Sequence, residues 1–564
     1  MKFEEYPLVV PSLEELSKEY EKLITKLENA KNADEQINTF RQVMKFDDHV
    51  ETMFTIISIR YSLDTTNETY AHAQDVMDEV APQLQVYSEK INKIMLNSPY
   101  HKELEDAFGS YLFKQLELAL KCFDAKIIED LQKENKLVSK YDKVMAGAKI
   151  KFNGQTYNLS QMGKFTTDVD RNVRKKATKA VAKFFEKSHE EIGQIYDDLV
   201  HVRDNMAKKL GFKNFVELGY ARLGRLDYND KDVANYRKQI QEVFVPIWVK
   251  LFKRQMKRIK IRSPRFYDLG LNYLTGNPRP IGDAHFLVEQ ARTMYKEMSK
   301  ETGEFFDFMT ENHLMDLEAR PGKQGGGYMT YLAEYKSPFI FSNFNGTSGD
   351  VDVLTHEFGH AYQGYCSRNI KVPSYRSPTL EACEIHSMSM EFFAWPWMDK
   401  FFGENADKYR YAHLADAMMF LPYGVTVDEF QHFVYENPNA THVERCAKWR
   451  EIEKKYTPLK NYKGFDVYEE GNLWLRQSHI FQTPFYYIDY TLAQVVAFQF
   501  LVEMHKNQPR AWAKYNRLCK MGGKYPFTEL LNHAHLRNPF EDGSLKKIAR
   551  PLNKILKSFD DQNM

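Results

Sequence analysis

The spacing of hydrophobic residues predicts that the first 150 residues are almost wholly helical. Leucine, isoleucine and phenylalanine recur every three or four residues over about 34–60, 68–96 and 101–146, which is the period of an amphipathic helix. Ahead of them, Ser12-Leu13-Glu14-Glu15 is a capping-box pattern, in which a serine and a glutamate satisfy free N–H groups at a helix start. These patterns favour a helical bundle.

A short polar segment interrupts the helices. In KIKFNGQTYNL (149–159), alternation on either side of Asn153-Gly154 predicts a β-hairpin, after which helical periodicity resumes over about 167–210 and 230–260. The sequence contains no internal repeat, low-complexity tract or Ser/Gly-rich linker. We therefore place a domain boundary only approximately, with an N-terminal helical domain at 1–187 and a second domain at 188–564.

Residues 317–347 have a different pattern. The segments YMTYLAEY and PFIFSNF are predicted as two strands, which follow the run Gly325-Gly326-Gly327 and end at Asn345-Gly346. The glycines favour close approach of a ligand backbone over phosphate binding, because the lysine and hydroxyl that open the helix of a phosphate loop are absent.

The segment LTHEFGHAYQG (354–364) contains a metal-binding pattern. A helix is predicted here by an apolar stripe of Val351, Leu354, Phe358 and Ala361. His356 and His360 then lie one turn apart on the same face, where two imidazoles can bind one metal ion at about 2.0–2.1 Å each. Glu357 points beside that face, near a metal-bound water. The alternative is a helix whose two histidines are solvated or packed.

A second predicted helix, 379–394, offers a third ligand. Glu384, Met388 and Glu391 share one of its faces, so packing against the first helix would bring one carboxylate, Glu384, to the metal. The other carboxylate, Glu391 or Glu381, would hydrogen-bond a ligand histidine. The alternative third ligands are Glu381, Cys383 and His386.

Composition and charge narrow the class of protein. With 43% hydrophobic and 14% aromatic residues, the 564-residue chain is globular, and its length implies several domains or one multi-lobed enzyme. A net charge of +1 gives no general attraction to nucleic acid or acidic membranes, and the basic run 253–260 is interpreted as a solvated helix. Five cysteines without a C-x-x-C pair, a charged N-terminus and the lack of a long apolar stretch predict a soluble cytoplasmic protein.

HEFGH followed by Glu384 and Glu391 resembles the zinc metallopeptidases of the thimet oligopeptidase type. Several stretches make the chain similar to the oligoendopeptidase F branch: DRNVRKKATKA (170–180), NMAKKLGFKNF (205–215), ARLGRLDYNDKDVANYR (221–237), ARPGKQGGGY (319–328), PFIFSNFNGTSGDVDVLTHEFGHA (338–361) and SHIFQTPFYYIDYTLAQ (478–494). The resemblance runs from about 130 to the C-terminus. It implies a mainly α, two-lobed helical metallopeptidase with a deep central channel and a small β-sheet beside the zinc site, in which 188–564 is the catalytic domain.

The resemblance also implies a function and a set of site residues. It suggests a zinc-dependent oligoendopeptidase that hydrolyses internal bonds of short unstructured peptides, with one Zn²⁺ per chain. The implied ligands are His356, His360 and Glu384, and Glu357 is the general base for a metal-activated water. The family's oxyanion and substrate-binding residues match His479, Tyr486, Tyr487 and Tyr490. Among the tyrosines we favour Tyr490, then Tyr486, for the oxyanion, and an aromatic core patch is the alternative reading.

Other functions stay open at this point. A zinc carboxypeptidase or dipeptidase of related helical fold, or a non-catalytic peptide-binding protein, would carry many of the same features. A second histidine pair, His533 and His535, has no convincing partner carboxylates. We expect short peptides as partners, with PFIFSNF pairing with them as an added strand, and neither nucleic acid nor membrane. The oligomeric state does not follow from the sequence.

Overall fold

Helices dominate the computed structural model, which describes residues 1–320 and 322–564. The helices of the N-terminal third are α1 (Leu13–Glu28), α2 (Ala33–Leu63), α3 (Glu68–Leu96), α4 (His101–Phe108), α5 (Ser110–Cys122), α6 (Ile128–Ala146), α7 (Gly163–Thr166) and α8 (Arg171–Lys209). The remaining helices are α9 (Phe215–Arg222), α10 (Asp230–Arg258), α11 (Ala284–Met298), α12 (Lys300–Glu311), α13 (Gly349–Ser367), α14 (Leu380–Phe393), α15 (Met398–Phe402), α16 (Ala406–Glu436), α17 (His442–Tyr456), α18 (Asp466–Glu469), α19 (Ser478–Gln482), α20 (Tyr487–Lys506), α21 (Gln508–Met521), α22 (Phe527–His533) and α23 (Ser544–Ser558).

The predicted helices of the first 150 residues are present, with one difference. Ser12 caps α1 by accepting a hydrogen bond from the backbone N–H of Glu15 at 3.3 Å. The stretch 101–146 forms three helices: Gly109 at φ +88° separates α4 from α5, and a second break at residues 123–127 separates α5 from α6. A Cβ at Gly109 would lie 3.0 Å from the Tyr375 hydroxyl, so glycine serves both the backbone conformation and a close contact.

The five strands of the described residues form two small sheets. The predicted hairpin is confirmed as β1 (Ile150–Phe152) and β2 (Gln155–Tyr157), with both turn residues at positive φ. The second sheet contains β3 (Met315–Glu318), β4 (Tyr328–Leu332) and β5 (Ser337–Phe344) in the order β3-β5-β4. The central strand β5 runs parallel to β3 and antiparallel to β4. The sequence predicted β4 and β5 but missed β3.

The position of β5 corrects one expectation. PFIFSNF was expected to pair with a bound peptide, but this is wrong because β5 is the central strand and its Ile340 and Phe341 already pair with both neighbours. The strands with an outer edge are β3 and β4. Residues 328–331 of β4 are half-buried, whereas 337–342 of β5 are buried. Strand addition therefore requires the outer edge of β4 or β3.

Of the four hydrophobic clusters among the described residues, the two largest are the cores of the N-terminal lobe and of the rest of the chain. A smaller core is built from α1–α5 and includes Leu27, Phe40 and Met95, whereas the larger core occupies most of the remaining chain. Tyr375, from the segment between α13 and α14, belongs to the smaller core and accepts a hydrogen bond from the Leu112 N–H at 2.7 Å. The segment that joins α13 to α14 is thus anchored in the N-terminal lobe. The predicted boundary at 187/188 lies inside the continuous helix α8, and the domain division stays a prediction.

Most residues of the candidate site lie on or next to α13, α14 and α20, and His479 lies on α19. α14 packs against α13 on one side and α20 on the other, α13 also covers β4 and β5, and α16 packs against α20. No helix in the described part of the chain combines the length and apolar character needed to cross a membrane.

A buried ion pair holds the start of α20. Arg225 and Asp489 have fully buried side chains, and the Arg225 Nη2 donates to Asp489 Oδ1 at 2.6 Å and to the Phe485 carbonyl at 2.7 Å. Phe485 adopts φ +67°, which is unfavourable for a non-glycine residue. The guanidinium therefore fixes both a buried carboxylate and a strained segment just before α20.

We expect Arg225→Met to lower the free energy of unfolding by about 3–5 kcal/mol, because it leaves the Asp489 charge buried without its partner. Arg510→Met is a matched control, since Arg510 pairs with Glu503 at 3.2 Å but its side chain is 78% exposed. The control should cost about 0–1 kcal/mol. Denaturant unfolding followed by circular dichroism measures both values, and equal losses would contradict the role given to the buried pair.

Candidate metal centre

The two predicted ligand helices approach each other closely at Gly359, the glycine of HEFGH. A Cβ at this position would lie 2.6 Å from the His386 carbonyl oxygen and 2.7 Å from the Ser387 Cα, both on α14. No side chain fits between backbones at that separation, so glycine permits the contact of α13 with α14. The contact brings one face of α13 against the face of α14 that carries Glu384.

Three side chains converge where the helices meet. The Glu384 Oε2 lies 3.2 Å from the His356 Nε2 and 3.4 Å from the His360 Nε2. Neighbouring ligands of a tetrahedral zinc ion at about 2.0–2.1 Å would be about 3.3 Å apart, so these separations fit a zinc site. Within residues 1–320 and 322–564, these three form the one group of histidine, cysteine, aspartate or glutamate side chains compact enough to bind a metal ion.

Glu391 orients His356. Its Oε1 lies 2.7 Å from the His356 Nδ1, so the imidazole donates from Nδ1 and keeps the Nε2 lone pair for the cluster. The Glu391 Oε2 lies 2.7 Å from the Nε2 of His413, whose Nδ1 accepts from the Trp395 Nε1–H at 3.0 Å. Burial alone would raise the pKa of Glu391, but His356 and His413 hold it below the usual value. The sequence left Glu391 and Glu381 as candidates for this role, and the structure has Glu391 in it. His413 and Trp395 were missed because no local pattern links them to HEFGH.

Glu384 is also fixed by hydrogen bonds. The Tyr486 hydroxyl donates to its Oε1 at 2.5 Å, and the Ser387 hydroxyl donates to its Oε2 at 3.0 Å. Burial would raise the pKa of Glu384, but His360 and His356 outweigh it and hold the pKa well below the usual value. The carboxylate therefore stays ionised, as a metal ligand must be.

Glu357 lies between the two histidines in the sequence and is 7% exposed. Burial raises the pKa of Glu357, and His356 and His360 only partly oppose that effect. A carboxylate with a raised pKa is suited to accept and release a proton near neutral pH.

The predicted aromatic residues form one cluster beside Glu384. The Tyr490 hydroxyl lies 3.4 Å from the His479 Nε2, and the Tyr486 and Tyr490 rings are 4.9 Å apart. Burial lowers the pKa of His479 to about 4, so its ring is neutral at pH 7. The Gln477 amide nitrogen lies 2.8 Å from the His479 Nδ1, which places the ring proton on Nε2, towards Tyr490. Tyr487 packs edge-on against His479 with ring centroids 4.9 Å apart.

The alternative third ligands lie elsewhere. Glu381 is buried in the neighbourhood of Arg225, and the Cys383 Sγ faces a backbone carbonyl 3.4 Å away. The His386 Nδ1 lies 3.4 Å from the Cys519 Sγ, behind α14. Of the described side chains that the sequence left open, only Glu384 joins His356 and His360.

Family models match two parts of the chain. Residues 3–123 match the peptidase M3 N-terminal domain, and residues 288–550 match peptidase family M3. The oligopeptidase PepF of Bacillus subtilis (strain 168) is 22% identical over 356 residues, which cover 60% of this chain and 51% of that protein. The chain thus spans about half the length of the curated relative that it matches.

Solved structures match the whole chain. A structure of PZ peptidase A with an inhibitor is 51% identical, with 100% of both chains covered and a TM-score of 0.97. A protein of Bacillus anthracis str. Ames, provisionally named oligoendopeptidase F, is 47% identical, with 100% of this chain and 99% of that chain covered and a TM-score of 0.92. Another chain with that provisional name is 49% identical over 100% of both chains, with a TM-score of 0.98.

We expect Gly359→Ala to weaken zinc binding, because the new methyl group meets the backbone of α14 and overpacking of this kind costs about 1–3 kcal/mol. When the helices separate to relieve this strain, His360 moves away from Glu384. Zinc affinity should then fall about tenfold for each 1.4 kcal/mol of strain. Gly364→Ala on the same helix is the control, since its Cβ would meet only the movable ring of Tyr331 at 3.3 Å. Competition with a chromogenic chelator measures both affinities. Unchanged zinc binding in folded Gly359→Ala protein would refute this account of the contact.

Proposed function

The chain belongs to peptidase family M3, and on that basis we propose that it is a zinc-dependent oligoendopeptidase that hydrolyses internal bonds of short unstructured peptides. The observation that carries the proposal is the convergence of His356, His360 and Glu384 beside the buried carboxylate of Glu357. A zinc carboxypeptidase or dipeptidase is the main alternative, and a non-catalytic peptide-binding protein is the other.

Zinc suits this set of donors. His356 and His360 would supply two Nε2 atoms and Glu384 one carboxylate oxygen, and three protein ligands are typical of catalytic zinc sites. The hydrogen bonds of Glu391 and Tyr486 to the ligands support a fixed geometry. Bound there, zinc supplies a Lewis acid that polarises the scissile carbonyl and acidifies the attacking water.

Glu357 is the general base in this proposal. Its carboxylate takes a proton from the attacking water and later delivers that proton to the leaving amine. Its position between the two histidines of one helix and its burial support this role. Retention of Glu357 together with all three ligands argues against the non-catalytic alternative.

His479 and Tyr490 are the proposed hydrogen-bond donors to the oxyanion. A neutral imidazole with its proton on Nε2 and an adjacent phenol can both donate to negative charge that develops on the carbonyl oxygen. Tyr486 has a different proposed role, because its hydroxyl already donates to Glu384. This contact favours Tyr490 over Tyr486 as the oxyanion donor.

The peptide would bind as an added strand on the outer edge of β4. Such pairing reads the peptide backbone rather than its side chains, which suits broad specificity. Tyr328 begins that strand, directly after Gly325–Gly327.

All five cysteines are free, which supports the proposal that the protein acts in the reducing environment of the cytoplasm.

We expect Glu357→Gln to reduce peptide hydrolysis by about 10²–10⁴-fold while zinc stays bound, because the change removes the base and keeps the shape. Mass spectrometry of the products from an unstructured peptide of about ten residues, with and without a chelator, measures the position and metal dependence of cleavage. Internal cleavage that vanishes in both controls supports the proposal. Release of terminal residues alone would favour the carboxypeptidase, and no cleavage by zinc-loaded wild type would favour the binding protein.

Substitution of Tyr490 and of Tyr486 should affect different properties of the enzyme. Tyr490→Phe should lower kcat by about 10²–10³-fold with little change in zinc affinity, because it removes a donor needed in the transition state. Tyr486→Phe should instead weaken zinc binding, because Glu384 loses a hydrogen bond. Steady-state kinetics and zinc titration on both variants separate these effects. A large kcat loss confined to Tyr486→Phe would reverse the assignment.

A further inference from the structure

We propose that His413, on α16, is a positioning residue that holds Glu391 so that His356 presents its Nε2 to the metal. The inference rests on the proposed function, because it assumes that His356 is a metal ligand. His413 itself stands outside the reaction, since Glu391 separates it from His356. His413 fixes the orientation of Glu391 and, through Glu391, the proton position on His356.

Trp395 fixes the proton on His413. An indole N–H can only donate, and the Trp395 Nε1 lies 3.0 Å from the His413 Nδ1. The Nδ1 must therefore carry a lone pair, and the ring proton resides on Nε2. A second proton, on the His413 Nδ1, would point at the Trp395 N–H and remove this hydrogen bond. His413 thus donates from Nε2 to Glu391 Oε2 over 2.7 Å. Burial lowers the pKa of His413, and Glu391 more than offsets that effect, but a proton on Nδ1 would remove the hydrogen bond from Trp395.

Glu391 determines the proton position on His356, and His413 fixes the orientation of Glu391. With Oε2 of Glu391 accepting from His413, Oε1 is free to accept from the His356 Nδ1 at 2.7 Å. A carboxylate can only accept, so His356 must carry its proton on Nδ1. Its Nε2 lone pair then faces Glu384 Oε2 at 3.2 Å, where the metal would lie. Three side chains, Trp395, His413 and Glu391, therefore specify one tautomer of the ligand His356.

The His413 ring is held firmly enough for this role. Tyr409 stacks on it with centroids 5.5 Å apart and planes 9° from parallel, and Phe392 lies 5.1 Å away. The Tyr409 hydroxyl in turn donates to the half-buried carboxylate of Asp352 on α13. Titratable groups therefore lie near His413 on three helices: Asp352 on α13, Glu391 on α14 and Tyr409 on α16. Of these three, only Glu391 accepts the Nε2 proton of His413.

Two substitutions at position 413 separate donation from packing. In His413→Gln the amide nitrogen occupies about the place of Nε2 and can donate to Glu391, whereas in His413→Asn the shorter amide reaches only the place of Nδ1. We expect His413→Asn to weaken zinc binding about tenfold, the lower end of the range for partners of metal ligands. His413→Gln should stay within about twofold of wild type.

The matched control is His432→Asn, which alters another buried histidine of α16. The His432 Nε2 lies 3.1 Å from the Tyr220 hydroxyl and has no contact with Glu391 among the described residues. We expect this variant to bind zinc as wild type does, even if it is less stable. Thermal unfolding of the metal-free proteins records that stability difference separately.

Zinc affinity from chelator competition is the primary readout, and the visible spectrum of the Co²⁺-substituted protein reports the ligand geometry. A zinc loss in His413→Asn that His413→Gln restores, with an altered Co²⁺ spectrum in the former only, supports the proposal. Wild-type-like zinc affinity in His413→Asn, or equal losses in both position-413 variants, overturns it. Failure of the wild-type protein to bind zinc would instead overturn the proposed function, so the two failures are distinguishable.

Discussion

The structure of the candidate site depends on how closely α13 and α14 can approach. Ligands of one metal ion must meet within about 3.3 Å of one another, yet His356 and His360 stand on one helix and Glu384 on the other. Gly359 allows that separation, because any side chain there would meet the backbone of α14 at less than 3 Å. The remaining features of the site, including the tyrosines of α20 and the histidine of α16, are arranged around this contact.

Because the site is buried, each of its hydrogen bonds affects both the stability of the fold and the orientation of the ligands. Glu384 and Glu391 are removed from water, where an unpaired carboxylate is costly, and each carboxylate has a partner for both oxygens. The same pairing that lowers this cost also fixes the orientation of the ligands. Stability and preorganisation therefore come from one set of contacts, and the charge of each carboxylate is kept by the histidines beside it.

The sequence predicted what local periodicity can encode. His356 and His360 are one helical turn apart, and Glu384 shares a helix face with Glu391, so their neighbourhood follows from the spacing alone. The hairpin at Asn153-Gly154 follows from turn chemistry in the same way. What depends on tertiary contact was not predictable: β3 has only 4 residues and pairs with β5 rather than with the next strand β4, so PFIFSNF could not be recognised as central. His413 and Trp395 likewise meet Glu391 only after α16 packs in place.

The anchoring of Tyr375 in the N-terminal core has a mechanical consequence. The segment between α13 and α14 is the direct covalent link between the two ligand helices, and it is tied to the other lobe through the Tyr375 hydroxyl and the Leu112 N–H. A second tether follows at once, since Arg376 binds both carboxylate oxygens of Asp48 on α2 at 2.8 and 2.9 Å. A movement of the N-terminal helices relative to α13 and α14 would therefore pull on this link. The spacing of the two ligand helices is thus mechanically coupled to the position of α2 and α5.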